Sequence, residues 1–330
     1  MPSNDILLSV ENLKVYFRSD EELSRAVDGV SFDVRRKETL CLVGESGCGK
    51  TVSALSIIGL VPIPPGEIVS GKILFNGQNL IDYGEEAMQR IRGNQIAMVF
   101  QEPLTSLNPV FTIGDQIAET IRTHETVSEK KVEFRCLQLL ENVGISSAGE
   151  RLGDYPHQLS GGQRQRVMIA MALACNPDLI IADEPTTALD VTVQSQILNL
   201  LAAIQKERSM SVLYITHDLG VVSRVADWIC VMYAGIIVEQ GNKAHIFRES
   251  RHPYTQALLA ALPHRSKRGK RLYSIPGTVP NPAYKPAGCP FHPRCKRAIR
   301  NCTEQFPEIC NYGQGHLTRC PVLFENHGQH

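Results

Sequence analysis

Eight residues, Gly44-Glu45-Ser46-Gly47-Cys48-Gly49-Lys50-Thr51, set three glycines ahead of a lysine and a hydroxyl. That spacing suits a polyphosphate: glycines permit a tight loop whose N–H groups surround phosphate oxygens, and a helix beginning at the loop's end adds its positive terminus. Lys50 is placed to reach the β- and γ-phosphates, and the Thr51 hydroxyl to ligate Mg²⁺. Gly44, Ser46, Gly47, Cys48 and Gly49 complete the expected cradle. A second set closes the run Leu179-Ile180-Ile181-Ala182-Asp183-Glu184, where an apolar segment ends in two adjacent carboxylates. Asp183 suits the magnesium sphere, and Glu184 can face an attacking water. Read alone, paired acids at a strand end are as readily a solvated turn or a helix cap; beside a phosphate cradle they read as chemistry. A third set, Leu159-Ser160-Gly161-Gly162-Gln163, opens a helical run and makes a second phosphate-suited helix start in the same chain. One nucleotide cannot easily use both cradles of one subunit.

The elements around these residues read as α/β. Strand-like runs recur at Leu40–Val43, Ile96–Phe100, Leu179–Asp183, Val212–Thr216 and Ile229–Tyr233; they are short, apolar and bounded by polar turns, as in a sheet buried on both faces. Helical patterns lie between them, such as Ile197, Leu198, Leu200, Leu201 and Ile204 on one face. A largely parallel sheet follows. Residues 1–35 read as extended amphipathic strands and 102–158 as mostly helical and polar, both additions to the core. With 330 residues the chain can bury a large core, and its 34 basic and 34 acidic residues balance, which argues against nucleic acid as a partner. No stretch reaches the ~20 apolar residues of a membrane-spanning helix. The start MPSNDILLSVENLKVYF has acidic residues on both sides of its short apolar stretch and no basic opening, so export is not expected.

The order of the motifs resembles the ABC ATPase family over roughly residues 5–245. The resemblance implies a P-loop NTPase (RecA-like) core with an N-terminal antiparallel β layer, a helical subdomain at about 102–165 and a C-terminal extension. It also implies a head-to-tail pair of ATPases, in which Ser160, Gly161, Gly162 and Gln163 close over the γ-phosphate held by the partner's loop. Gln101, after the strand IAMVF, matches the family's Q-loop glutamine, which contacts metal or water. Ala188-Leu189-Asp190 matches the D-loop at the dimer interface, and His217, after VLYIT, the switch histidine at the γ-phosphate. The adenine is expected to stack on an aromatic of the N-terminal strands; Tyr16 and Phe17 both qualify, and counting from Asn12-Leu13 favours Phe17. Glu184, His217 and Gln101 are thus the expected catalytic set.

After Gly241 the composition changes. Residues 263–271 carry a basic run, PHRSKRGKR, followed by the proline-repeated SIPGTVPNPAYKPAG, which reads as an irregular connection, and a boundary is placed near residue 255. The segments HPYTQALLAAL and GCPFHPRC resemble the C-terminal region of ATPases from dipeptide and oligopeptide importers, a group that includes nickel systems. That resemblance implies a second, different ATPase, two membrane permeases, an extracytoplasmic binding protein and a peripheral place on the cytoplasmic face of the membrane. A non-transport ABC ATPase is the competing class, and a P-loop switch or kinase leaves the Leu159–Gln163 element unexplained.

Of ten cysteines, Cys41, Cys48, Cys136, Cys175 and Cys230 lie in apolar or helical segments, as small buried hydrophobes do. Cys289, Cys295, Cys302 and Cys320 follow the spacing C-x5-C-x6-C-x17-C, which four thiolates could use for a cluster or for zinc. The absence of two close CxxC-like pairs argues against zinc. The importer resemblance implies a 4Fe-4S cluster on these four, with Cys310 the rival fourth ligand.

Overall fold

The first strands, β1 (Ile6–Arg18) and β2 (Leu23–Arg35), are long and amphipathic, and their buried side chains include Val10, Leu13 and Val15 on one and Val27, Val30, Phe32 and Val34 on the other. The following strand, β3 (Thr39–Val43), is buried at every position and runs through the glycine-rich loop into α1 (Lys50–Ile57). With β4 (Gly66–Phe75) and β5 (Gln78–Asn79), the first two strands make an antiparallel layer in the order β2-β1-β4-β5. The computed structural model describes residues 5–19, 21–187, 189–262, 274–320 and 322. Ala188 of the expected D-loop and the basic run at 263–271 lie outside them. The chain divides into two compact units, residues 1–81 with 215–330, and residues 82–214.

The second unit begins with α2 (Glu85–Ile91) and β6 (Ile96–Val99), then turns helical: α3 (Pro103–Ser106), α4 (Ile113–His124), α5 (Glu129–Asn142), α6 (Ala148–Arg151) and α7 (Gly161–Ala172). The buried faces are helical stripes, Ile113, Ile117 and Ile121 on α4 and Val132, Cys136, Leu139 and Leu140 on α5. Two strands buried at every position follow, β7 (Leu179–Asp183), which pairs parallel with β6, and β8 (Ser211–Thr216), with α8 (Val191–Arg208) between them. Helix α8 buries Ile197, Leu198, Leu201 and Ile204, while Leu200 at the margin of that face is half-buried.

The C-terminal part of the first unit holds α9 (Leu219–Val225), β9 (Trp228–Tyr233), β10 (Ile236–Asn242), α10 (Lys243–Arg248), α11 (Pro253–Ala260), α12 (Arg300–Glu304), β11 (Cys310–Asn311) and β12 (Leu317–Thr318). Its sheet runs β11-β12-β10-β9-β3: β3 and β9 are parallel, the other pairs antiparallel. Residues 274–288 have no helix or strand, as the repeated prolines predict, yet the tail beyond them returns to the core sheet. The core is α/β with an antiparallel β layer at the N-terminus, as expected. No helix among the described residues is long and apolar enough to cross a membrane.

Candidate nucleotide site

Strand β3 delivers its C-terminal end to Gly44, where a side chain has no room: a Cβ would stand 2.2 Å from the Met232 carbonyl oxygen of β9. Five residues on, Gly49 adopts φ of 103°, a left-handed conformation that costs other residues strain, and starts α1. Between them Ser46 and Gly47 are exposed. The Lys50 side chain is buried and folds back over the loop, its Nζ donating to the carbonyls of Gly44 at 2.8 Å and Glu45 at 3.1 Å. Thr51 is exposed in the first turn. Helix α1 has no side-chain cap and no acidic residue in its first turn. Its donors are backbone amides, an ammonium and a hydroxyl, a set that fits the phosphates of ATP.

His217 is also in this unit, exposed just beyond β8, with the Asp218 side chain next to it capping α9 through the Gly220 N–H at 2.7 Å. On β1 the two aromatics take different roles. Tyr16 donates its hydroxyl to Asp28 at 2.8 Å, and burial together with that bond pushes its phenol up to about 12. Phe17 is half-buried, in register with Gly66 of β4.

The second unit holds the remaining expected residues. Asp183, at the end of β7, is 2% exposed, whereas Glu184 is half-buried with φ of 44°, a conformation rare for a residue with a side chain. The Glu184 carboxylate accepts from Gln101 Nε2 at 3.3 Å and from Thr187 Oγ1 at 2.9 Å. The structure therefore brings Gln101 and Glu184 together across 83 residues of sequence. Strain at a buried-strand terminus with a two-point grip on a carboxylate is a common mark of a reactive position.

Ser160 caps α7 by accepting from the Gln163 N–H at 3.3 Å, and the Gln163 side chain accepts from the Ser160 N–H at 2.9 Å. This is a reciprocal capping box. Gly162 is required for close packing, because a Cβ there would lie 2.8 Å from Val193 Cγ1 at the start of α8. Asp190 caps α8, accepting from the Thr192 and Val193 N–H groups, both at 2.9 Å.

The expected iron–sulfur cluster is not supported. Among the described residues, no group of three or more His, Cys, Asp or Glu side chains is arranged to hold a metal ion. Cys289, Cys302 and Cys320 are buried and Cys295 and Cys310 half-buried, all as free thiols. The Cys289 N–H donates to the Cys302 carbonyl at 2.8 Å, so the backbone stitches this region together. Burial pushes the Cys289 thiol up to about 11 and that of Cys320 up to about 12, favouring neutral thiols. Spacing alone had left the three-dimensional disposition open.

Sequence reasoning missed two residues that grip the phosphate loop, Arg294 and Tyr254, and a third, Tyr233, that holds Arg294. The Glu45 carboxylate accepts two bonds from Arg294, at 3.0 and 3.1 Å, and the Glu45 N–H donates to the Tyr254 hydroxyl at 3.0 Å. Tyr233 accepts from Arg294 at 3.3 Å. Partners separated by 209 and 249 residues leave no local pattern to read.

Comparisons with known proteins agree with this geometry. Residues 27–187 match the family model "ABC transporter", and residues 238–302 match "Oligopeptide/dipeptide transporter, C-terminal region". The chain is 48% identical over 322 residues to the oligopeptide transport ATP-binding protein AppD of Bacillus subtilis (strain 168), covering 98% of each. It is 46% identical over 323 residues to the dipeptide transport ATP-binding protein DppD of Escherichia coli (strain K12), again covering 98% of each. Among solved structures it resembles MJ0796, a bacterial ABC transporter cassette, both as a dimer and in a post-hydrolysis dimeric state bound to ADP and Pi. Each comparison has a TM-score of 0.65 and 27% identity, and covers 72% of this chain and 98% of that one. An open phosphate loop, a strained and gripped glutamate, a capped Leu159–Gln163 element and near-complete alignment with these ATP-binding proteins place the chain in the ABC transporter family, as an ATP-hydrolysing subunit of the oligopeptide/dipeptide type.

Proposed function

We propose that this ATPase energises uptake of di- or oligopeptides through a membrane ABC importer. It works as one of two different ATPases on the cytoplasmic face of the membrane, beneath two permease subunits supplied by an extracytoplasmic binding protein. The observation that carries this reading is the near-complete alignment with the oligopeptide and dipeptide transport ATP-binding proteins, tail included. In this reading residues 1–255, with a helical subdomain at about 102–165, form the ATPase part, and residues 256–330 form the importer-type extension.

The residue roles follow from the chemistry on hand. The amides from Gly44 to Gly49 and the Lys50 ammonium hold the phosphates, and Lys50 exchanges its loop carbonyls for them. Thr51, Asp183 and Gln101 are oxygen donors suited to Mg²⁺, which would neutralise charge on the phosphoryl group when bound. Glu184 polarises the attacking water, held in orientation by Thr187 and Gln101. His217 contributes a donor at the γ-phosphate, and Phe17 stacks on the adenine, Tyr16 being committed to Asp28. Ser160, Gly161, Gly162 and Gln163 serve the nucleotide of the partner ATPase, and Asp190 stands at that interface.

Glu184→Gln tests the assignment. ATP binding should persist, while single-turnover hydrolysis at this chain's own phosphate loop should fall about 10²–10³-fold. Unchanged hydrolysis would overturn the role of Glu184. In proteoliposomes carrying the assembled importer, a di- or oligopeptide with the binding protein should stimulate hydrolysis; stimulation by a nickel salt and not by peptides would overturn the cargo.

A further inference from the structure

Glu45 brings a carboxylate into a loop otherwise built from amides, hydroxyls, a thiol and an ammonium. A free carboxylate beside a polyphosphate is repelled by it. Here it is not free. Arg294 meets it with two parallel bonds, Nη1 to Oε1 at 3.0 Å and Nη2 to Oε2 at 3.1 Å, a fork geometry that fixes direction as well as charge. The arginine is itself held: its side chain is 5% exposed, its Nε donates to the Pro276 carbonyl at 2.8 Å, and its guanidinium lies 5.7 Å from the Tyr233 ring centre. Phe291, three residues before it, packs against the rings of both Tyr233 and Tyr254, each at 5.3 Å. Tyr254 in turn accepts the Glu45 N–H.

The extension touches the same neighbourhood a second time. Pro282 accepts from the Arg25 N–H of β2 at 3.1 Å, and Lys285 pairs with Asp28 at 3.4 Å. Asp28 donates its N–H to Gly235, and Gly235 donates to Cys48 of the loop at 3.0 Å.

We propose that the C-terminal extension sets the nucleotide affinity of its own phosphate loop, with Arg294 as a positioning residue that masks the Glu45 charge and turns the carboxylate away from the phosphates. The proposal rests on the reading of residues 44–51 as the ATP-phosphate cradle. It gives the extension a role in the ATPase step of the same chain.

The test is an equilibrium titration of the full-length chain with MgATP. Arg294→Ala should raise the Kd about fivefold at low salt, and the difference should narrow near 1 M salt as the unmasked carboxylate is screened. The double variant Arg294→Ala/Glu45→Gln removes the repelling charge together with its mask, and should bind within about twofold of the unmodified protein. A purely structural arginine predicts the opposite for the double variant, which would stay as weak as the single one. That result, or an unchanged Kd in Arg294→Ala, overturns the proposal. Arg294→Lys, which keeps the charge and loses the fork, should fall between the two, so the series stays readable if the alanine variant is poorly folded. Lys50→Ala in the same titration separates the two layers: if it binds ATP as before, the cradle reading itself fails, and if it loses binding while Arg294→Ala does not, only the role of Arg294 fails.

Discussion

Helices α1 and α7 both start at glycine-containing turns, and they finish their first-turn hydrogen bonding differently. At α1 the N-cap is Gly49, no side chain caps it, no acidic side chain stands in the first turn, and a buried lysine lies over the loop. At α7 a serine and a glutamine satisfy each other's backbone N–H groups. The first start has no side-chain acceptor, so its amides are left for a ligand; the second has its N-cap and N3 amides met by side chains, and the box does not reach those of Gly161 and Gly162. The Ser160 oxygen accepts from Gln163 through one lone pair, and its hydroxyl proton stays available as a donor. The two starts thus differ in side-chain capping, absent at α1 and reciprocal at α7, although both are glycine-rich and both begin helices.

The largest expected contrast comes from charge. Lys50→Ala should weaken ATP binding by about a hundredfold, since a charge-assisted contact to the phosphates disappears. Ser160→Arg should leave this chain's own ATP affinity unchanged while lowering hydrolysis in the assembled complex by about tenfold or more. Both are read by nucleotide titration and steady-state hydrolysis. Loss of binding in both variants would erase the distinction between the two helix starts.

A third start sharpens it with a titratable cap. The His252 ring is buried and caps α11, its Nδ1 accepting from the Tyr254 N–H at 3.1 Å, which requires that nitrogen to be unprotonated. Burial holds its pKa down to about 4, against the stabilising charge of Glu239. A histidine depressed in the folded state binds fewer protons than the unfolded chain between about pH 6.5 and 4. Stability is therefore complete above about 6.5 and declines as pH falls through that window, by about 2 kcal/mol at pH 5. Denaturant melts at pH 7.5 and 5 measure it, and His252→Gln should flatten the dependence.

The smallest effect belongs to the capping box of α7. Gln163→Ala removes half of the capping box and should cost about 1 kcal/mol in denaturant unfolding, with little change in ATP affinity. A shift in affinity larger than the shift in stability would mean that α7 also serves the nucleotide held by its own chain.

What could be read in advance was whatever the chain writes locally. The run Leu179–Asp183 was legible as a buried strand to its last residue, and the α8 face from Ile197 to Ile204 by its helical period. Ser160 was legible as a helix start, and the Ser-x-x-Gln spacing also held the capping box that was overlooked. The grip on Glu45 was not legible, because an arginine 249 residues away carries no periodic trace of its target. The cysteines failed for a related reason: spacing bounds how far thiols can reach, whereas burial and backbone pairing decide which way they face.

The short pairing of β12 with β10, Glu239 opposite Thr318 and Gln240 opposite Leu317, has a consequence for handling the protein. A strand whose outer side has no neighbour offers a row of backbone donors and acceptors to any other chain in solution. In this sheet the tail occupies that side of β10, so Leu317 and Thr318 act as a guard against edge-to-edge aggregation. A version shortened before residue 310 would keep every motif of the ATPase and expose a templating edge, turning a solubility problem into the first symptom of a missing tail.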